Sequence, residues 1–174
     1  MEPSPTVWRL DGVLLDVLTE LGASFERVEA GAYVVVLHGR RRPRTLVWLI
    51  AGEQAVAVEA FVVHVIGVAD PGPLHRHLLG RNLRRRTVHY AVDDVGDVFL
   101  AGSLPLGALD VDGVDRVLGE VLQALEDDQE ALLALAYGDR LAADPALAAK
   151  VHADGAGRRP AGTPDRSPRR DVRR

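Results

Sequence analysis

Three consecutive runs constrain this chain more than anything else in it: "AYVVVLHG" (Ala32–Gly39), "TLVWLIAG" (Thr45–Gly52) and "EQAVAVEAFVVHVIGV" (Glu53–Val68). Each is rich in β-branched residues, and the breaks between them, "RRRPR" and "GE", read as turns, so the three predict strands. Consecutive strands joined by turns this short must run antiparallel. An antiparallel sheet with one wet face alternates apolar and polar side chains. These runs do not. In the third, Val56, Val58, Val62 and Ile66 point one way, while Phe61, Val63 and Val65 point the other. Both faces of the sheet therefore need cover.

The flanking segments predict helices. Thr6 is read as a cap, followed by Val7, Leu10, Leu14, Val17, Leu18 and Leu21 at helical spacing, with Gly22 as the stop. After Pro-Gly-Pro, Leu74, Leu78, Leu79 and Leu83 predict a second helix. "TVHYAVDD" and "DVFLAGSL" predict two more strands. Asp110 then caps a long amphipathic helix whose stripe is Val114, Val117, Leu118, Val121, Leu122 and Leu125, continuing toward Gly138. "DPALAAKVHA" allows one further short helix. The expected class is α+β, in the order α-β-β-β-α-β-β-α, with a mainly antiparallel five-stranded sheet. Three helices can hardly cover both faces of such a sheet, so a homodimer is expected.

The chain divides into a domain over residues 1–151 and an Arg-rich tail over 152–174, the latter too poor in apolar residues to offset its ordering entropy. The tail holds seven arginines against three aspartates, a net +4, so the other 151 residues carry −8 of the net −4. An acidic body is a poor nucleic-acid binder, leaving at most weak contact through the tail. No signal peptide or membrane span is evident, and the default location is the cytoplasm. Twenty arginines against one lysine, with abundant Ala, Gly and Val, suggest a bacterium of high genomic GC content.

Candidate chemistry is sparse. No cysteine is present, which removes thiolate metal sites and thiol nucleophiles. Asp93, Asp94 and Asp97 lie close together, but their spacing fits neither a calcium loop nor facing catalytic carboxylates. A Gly- and Asp-containing interval between two strands reads as a hairpin turn, with Gly96 at positive φ and Asp94 capping. His38, His64 and His89 each fall in an expected strand and could in principle converge on zinc, although nothing places them on one face. His75 and His77, two apart on a helix, diverge. The arginines of "RRRPR" and "RNLRRR" could form an anion site if folded together. The preferred reading is plainer: the second group complements the negative end of a helix. Nucleotide-binding, nucleophile-elbow and zinc-protease motifs are all missing.

"LLGRNLRRRTVHYAVDDVGDVFLAGSLPLGAL", followed by "DRVLGEVLQAL", resembles the bacterial YbjN family. The features carrying the resemblance are Arg81–Asn82, the turn Asp94–Val95–Gly96–Asp97, Leu104–Pro105–Leu106 and Asp115–Arg116. It covers roughly Val7 to Tyr137, and the Arg-rich tail falls outside the family pattern. The resemblance implies a type III secretion chaperone-like fold, a homodimer, and the binding of extended client segments; it carries no catalytic residue. The expected function is accordingly a non-enzymatic, chaperone-like adaptor or regulator without a cofactor, binding a client protein. The alternative is a sensor that takes an anionic metabolite on its arginine clusters. The candidate interaction surface is Leu78, Leu79, Arg81, Asn82, Arg84 and Arg85.

Overall fold

Residues 3–65, 68, 70–138, 140–144, 146, 147 and 149 are described by a computed structural model of the chain. In order they form α1 (Pro5–Glu20), β1 (Ser24–Glu29), β2 (Ala32–Leu37), β3 (Thr45–Ala51), β4 (Ala55–Val63), α2 (Gly72–Asn82), β5 (Val88–Val92) and β6 (Val98–Pro105). A 3-10 turn (Leu106–Ala108), the long α3 (Val111–Tyr137) and the four-residue α4 (Arg140–Ala143) follow. The tail expected over 152–174 lies outside the described residues, as does part of "DPALAAKVHA".

Helix starts follow their caps. Ser4, not Thr6, caps α1: its Oγ accepts the Val7 N–H at 3.3 Å, and Pro5 follows at the first helical position, where its missing N–H costs nothing. Asp110 caps α3 as expected, its Oδ1 accepting the Gly113 N–H at 2.8 Å.

The strands form one antiparallel sheet in the order β1-β2-β3-β4-β6-β5. It has six strands, not the expected five. The extra one is β1, "SFERVE", an edge strand whose charged side chains hide the period-two signal. Tertiary contacts recruit it instead. Asp11 on α1 pairs with Arg27 on β1 at 3.0 and 2.7 Å. The same carboxylate accepts the Gly31 N–H at 2.8 Å and the Tyr33 hydroxyl at 2.9 Å. Gly31 turns the β1–β2 hairpin with φ +75°, a conformation that a side chain would strain. The third run also ends early, at Val63, where a bulge opposite Phe99 and Val98 shifts the register. His64 consequently falls just past β4, His38 lies just past the end of β2 at Leu37, and of the three only His89 lies in a strand.

The helices pack on one face. Contacts between α1 and α3 and between α2 and α3 join them into one layer, which α3 anchors to β4, β5 and β6. The row Phe25, Val35, Val47, Ala60, Leu100 and Tyr90, paired across all six strands, points into this layer. Leu14 and Leu18 of α1 and Val114, Val121 and Leu125 of α3 meet it and are at most 1% exposed. Burying each such side chain contributes about 1.5–3 kcal/mol.

Candidate functional site

The aspartate-rich stretch is a turn. Asp93 Oδ1 accepts the Val95 N–H at 3.1 Å and the Asp97 N–H at 2.8 Å, closing the β5–β6 hairpin, with Gly96 at φ +92°. The capping residue is therefore Asp93 rather than Asp94, which is exposed. Asp97 points inward, only 4% exposed. Its Oδ2 lies 2.8 Å from His64 Nδ1, and its Oδ1 accepts the Val65 N–H at 3.3 Å. The pair ties the end of β4 to β6, and the His64 ring rests 4.5 Å from that of Phe61. His38 Nδ1 instead lies 3.0 Å from the Pro43 carbonyl, and His89 is on a different strand. Among the described residues no three His, Asp or Glu side chains group as metal ligands.

The six residues expected as an interaction surface divide sharply. Leu78 is 3% exposed and belongs to the core, so it is no surface residue; the periodicity of α2 turns it inward with Leu74. Leu79, one position on, is 68% exposed. Asn82 Nδ2 donates to the Tyr90 carbonyl at 3.0 Å, and its Oδ1 accepts the Tyr90 N–H at 2.7 Å, pinning the end of α2 to β5. Arg81 and Arg85 both turn to Asp128 of α3, which is 1% exposed. Arg81 Nη2 pairs with one carboxylate oxygen. Arg85 Nη2, at 2.7 Å, and the Tyr90 hydroxyl, at 2.8 Å, share the other. The Arg85 guanidinium also lies over the Tyr90 ring, 5.0 Å from its centroid. Burial acts to raise the Asp128 pKa, but hydrogen bonds from Arg81, Tyr90 and Arg85 outweigh it and hold the carboxyl below its usual range. Burial, then the Asp128 carboxylate, push the Tyr90 phenol up. Arg84 alone of these arginines remains at the surface without a carboxylate partner among the described residues. Two arginines expected to complement a helix end are thus structural, joined to an aspartate more than forty residues away that no local pattern could reveal.

Sequence reasoning expected apolar residues on both faces of the sheet; the structure shows which row the helices leave uncovered. The row Glu26, Val34, Trp48, Glu59, Ala101 and His89 crosses all six strands on the face away from the helices. Val36, Leu46 and Ile50 lie beside it, half-buried, and Val28 is 44% exposed. None of Val34, Val36, Leu46, Trp48 or Ile50 belongs to the core that the helices complete. A groove of about 410 Å³ opens here, lined by Glu26, Val28, Val34, Leu46 and Trp48. Phe61 and Phe99 stack edge to face on this side, 5.5 Å between centroids. Glu59 stands between Trp48 and Ala101 with no hydrogen-bond or ion-pair partner among the described residues, and burial raises its pKa. Chemically, such a face can take apolar surface and can offer Glu59 to a donor; it assembles no nucleophile and base.

Residues 11–134 match the YbjN family, described as "Putative bacterial sensory transduction regulator". The chain belongs to the YbjN family. The match begins at Asp11, which pairs with Arg27, and ends within α3 beyond Asp128, so both buried carboxylate sites lie inside the YbjN region. This YbjN chain is similar to an uncharacterized protein of Mycobacterium leprae, 45% identical over 104 residues, which is 60% of this chain and 56% of the relative. It is also similar to uncharacterized proteins of Mycobacterium bovis and Mycobacterium tuberculosis, each 42% identical over 106 residues, 61% of this chain and 57% of the relative. The chain thus matches little more than half the length of these relatives. Among its described residues, no helix is long and apolar enough to cross a membrane.

Proposed function

We propose that this YbjN protein is a non-enzymatic, cytoplasmic regulator that works by binding protein, as a homodimer whose subunits meet through the sheet face opposite the helices. The observation that carries the reading is that face itself. Val28, exposed, and Val36, Leu46, Trp48 and Ile50, half-buried, gather there outside the helix-covered core, with Glu26 and Glu59 beside them. Grouped apolar side chains that no helix covers favour a contact for another chain on this face. A second copy presents the same face, and an isologous pairing is the commonest way for such a surface to close. The acidic body and the antiparallel α+β layout favour a likeness to the type III secretion chaperones, with four strands in place of the expected three between α1 and α2; a client would then pair in extended form with β1, an open sheet edge, leaving the sheet face to the second copy.

The test is sedimentation of the wild-type chain beside Trp48→Glu. The wild type is expected to be a dimer at micromolar concentration and the variant a monomer. A tagged wild-type chain is also expected to recover a partner from the native cytoplasm that Trp48→Glu fails to recover. A monomeric wild type, or a variant that stays dimeric with the same partner set, defeats the proposal.

A further inference from the structure

We infer that the cleft between the α2–β5 connection and α3 is a binding site for a small phosphate-bearing molecule. This site is separate from the sheet face and does not depend on it. The cleft measures about 660 Å³, within the range of small-ligand sites. Arg81, Arg84, Arg85, Arg86 and Arg116 line it against two carboxylates, Glu120 and Asp127, in a chain whose net charge is −4. Asp128 neutralises part of this by pairing with Arg81 and Arg85 from behind. Arg84, Arg86 and Arg116 are exposed, and none has a side-chain partner among the described residues. Three exposed guanidinium groups around one concavity, with no side-chain partner among the described residues, repel one another at a cost that solvent and salt reduce but do not abolish. A phosphate or diphosphate removes that cost. Its oxygens accept paired N–H donors from planar forks, and its charge answers more than one cation.

Two further observations point to a ligand here. Arg85, one of the lining residues, is nine-tenths buried, and while its Nη2 pairs with Asp128 its buried Nε has no hydrogen-bond acceptor among the described residues. The connection itself already receives an anion: the Glu120 carboxylate accepts the Arg86 N–H at 2.9 Å and the Thr87 N–H at 3.1 Å. Glu120 thus shows that consecutive backbone N–H groups of this connection converge on an anionic group at the cleft, a donor arrangement that also binds phosphates. The volume and the acidic body favour a small molecule over a nucleic-acid strand.

The experiment is amide-resolved NMR titration of the full chain with inorganic pyrophosphate, with ADP, and with sodium chloride at matched ionic strength. Saturable shifts at Arg86 and Thr87 with pyrophosphate or ADP are expected, and whichever binds tighter says whether the group is recognised free or within an ester. Arg84→Gln with Arg116→Gln, both at exposed positions, should weaken binding by about tenfold or more with the melting temperature unchanged. Glu120→Gln removes a competing charge but keeps an accepting oxygen, so it should tighten binding, an effect that damage to the fold would not produce. Shifts that fail to saturate or that sodium chloride reproduces overturn the inference. So does unaltered binding in the double variant, or binding of a polyglutamate peptide without any response to pyrophosphate. None of these outcomes bears on whether Trp48→Glu dissociates a dimer.

Discussion

Asn82 grips Tyr90 by its backbone, donating to the carbonyl at 3.0 Å and accepting from the N–H at 2.7 Å. One amide side chain thereby satisfies both backbone groups that Tyr90 turns to the open side of the outermost strand, β5. Replacement by leucine keeps the volume and removes both bonds. The expected loss is about 1–3 kcal/mol, measured by urea denaturation, with faster hydrogen exchange confined to β5. Stability within 0.5 kcal/mol of wild type, as for an ordinary surface substitution, would contradict the structural role.

Asp128, itself only 1% exposed, answers two arginines and a phenol. Asp128→Asn keeps the shape but leaves Arg81 and Arg85 without their counter-charge, at a cost of about 3–5 kcal/mol near neutral pH. The folded carboxyl titrates below its unfolded value of 3.8, so its stabilisation is complete above that value. It is lost as pH falls through the lower, folded pKa. Wild type and variant should therefore converge in acid when melting is followed from pH 7 downward; a gap that stays constant would mean the charge is not responsible.

The Asp11–Arg27 pair holds β1 to α1, and it has its own acid signature. Chiefly through the hydrogen bonds from Arg27, the Asp11 carboxyl is lowered from 3.8 to about 2. Its contribution is present above pH 3.8 and fades as pH drops toward 2. Asp11→Asn should flatten the stability profile in that interval and loosen β1 first, which amide exchange of Phe25 and Arg27 would report. Equal slopes for the two proteins over that interval would remove the assignment.

Glu59 works in the opposite sense. Burial raises its pKa, so ionisation opposes folding above the folded pKa, and the penalty is relieved as pH falls through that value. Glu59→Gln should be more stable than wild type near neutral pH by about 0.5–1 kcal/mol, with the difference vanishing near pH 4. If the sheet faces pair, acidification should also tighten the wild-type dimer but not that of the variant, as sedimentation at pH 5 and pH 8 would show.

Much of the architecture was legible along the chain because its signals are local. The stripe from Val114 to Leu125 fills one side of α3, Asp110 caps it, and the β-branched runs at Ala32, Thr45 and Ala55 are strands. The apolar residues on both faces of those runs announced that one face would be left for something other than the helices, and Trp48, Leu46 and Ile50 occupy it. The turn at Asp93–Asp97 was readable as a turn, although its capping residue was one position away from the expected one.

What the chain by itself determined is therefore periodic or adjacent: helices, most strands and most hairpin turns, beside short motifs whose resemblance pointed to YbjN. What only the tertiary structure decided depends on contacts between distant residues. The edge strand β1 has almost no apolar pattern and is held by Asp11, sixteen residues before Arg27. Arg81 and Arg85 look like surface charges until Asp128 meets them from a helix more than forty residues on. Arg116 joins Arg84 and Arg86 only because α3 packs beside the α2–β5 connection. Hydrophobic periodicity is a property of a segment and can be read from it. The pairing of buried charges is a property of the packed molecule, because a charge accepts burial only where another element brings its partner.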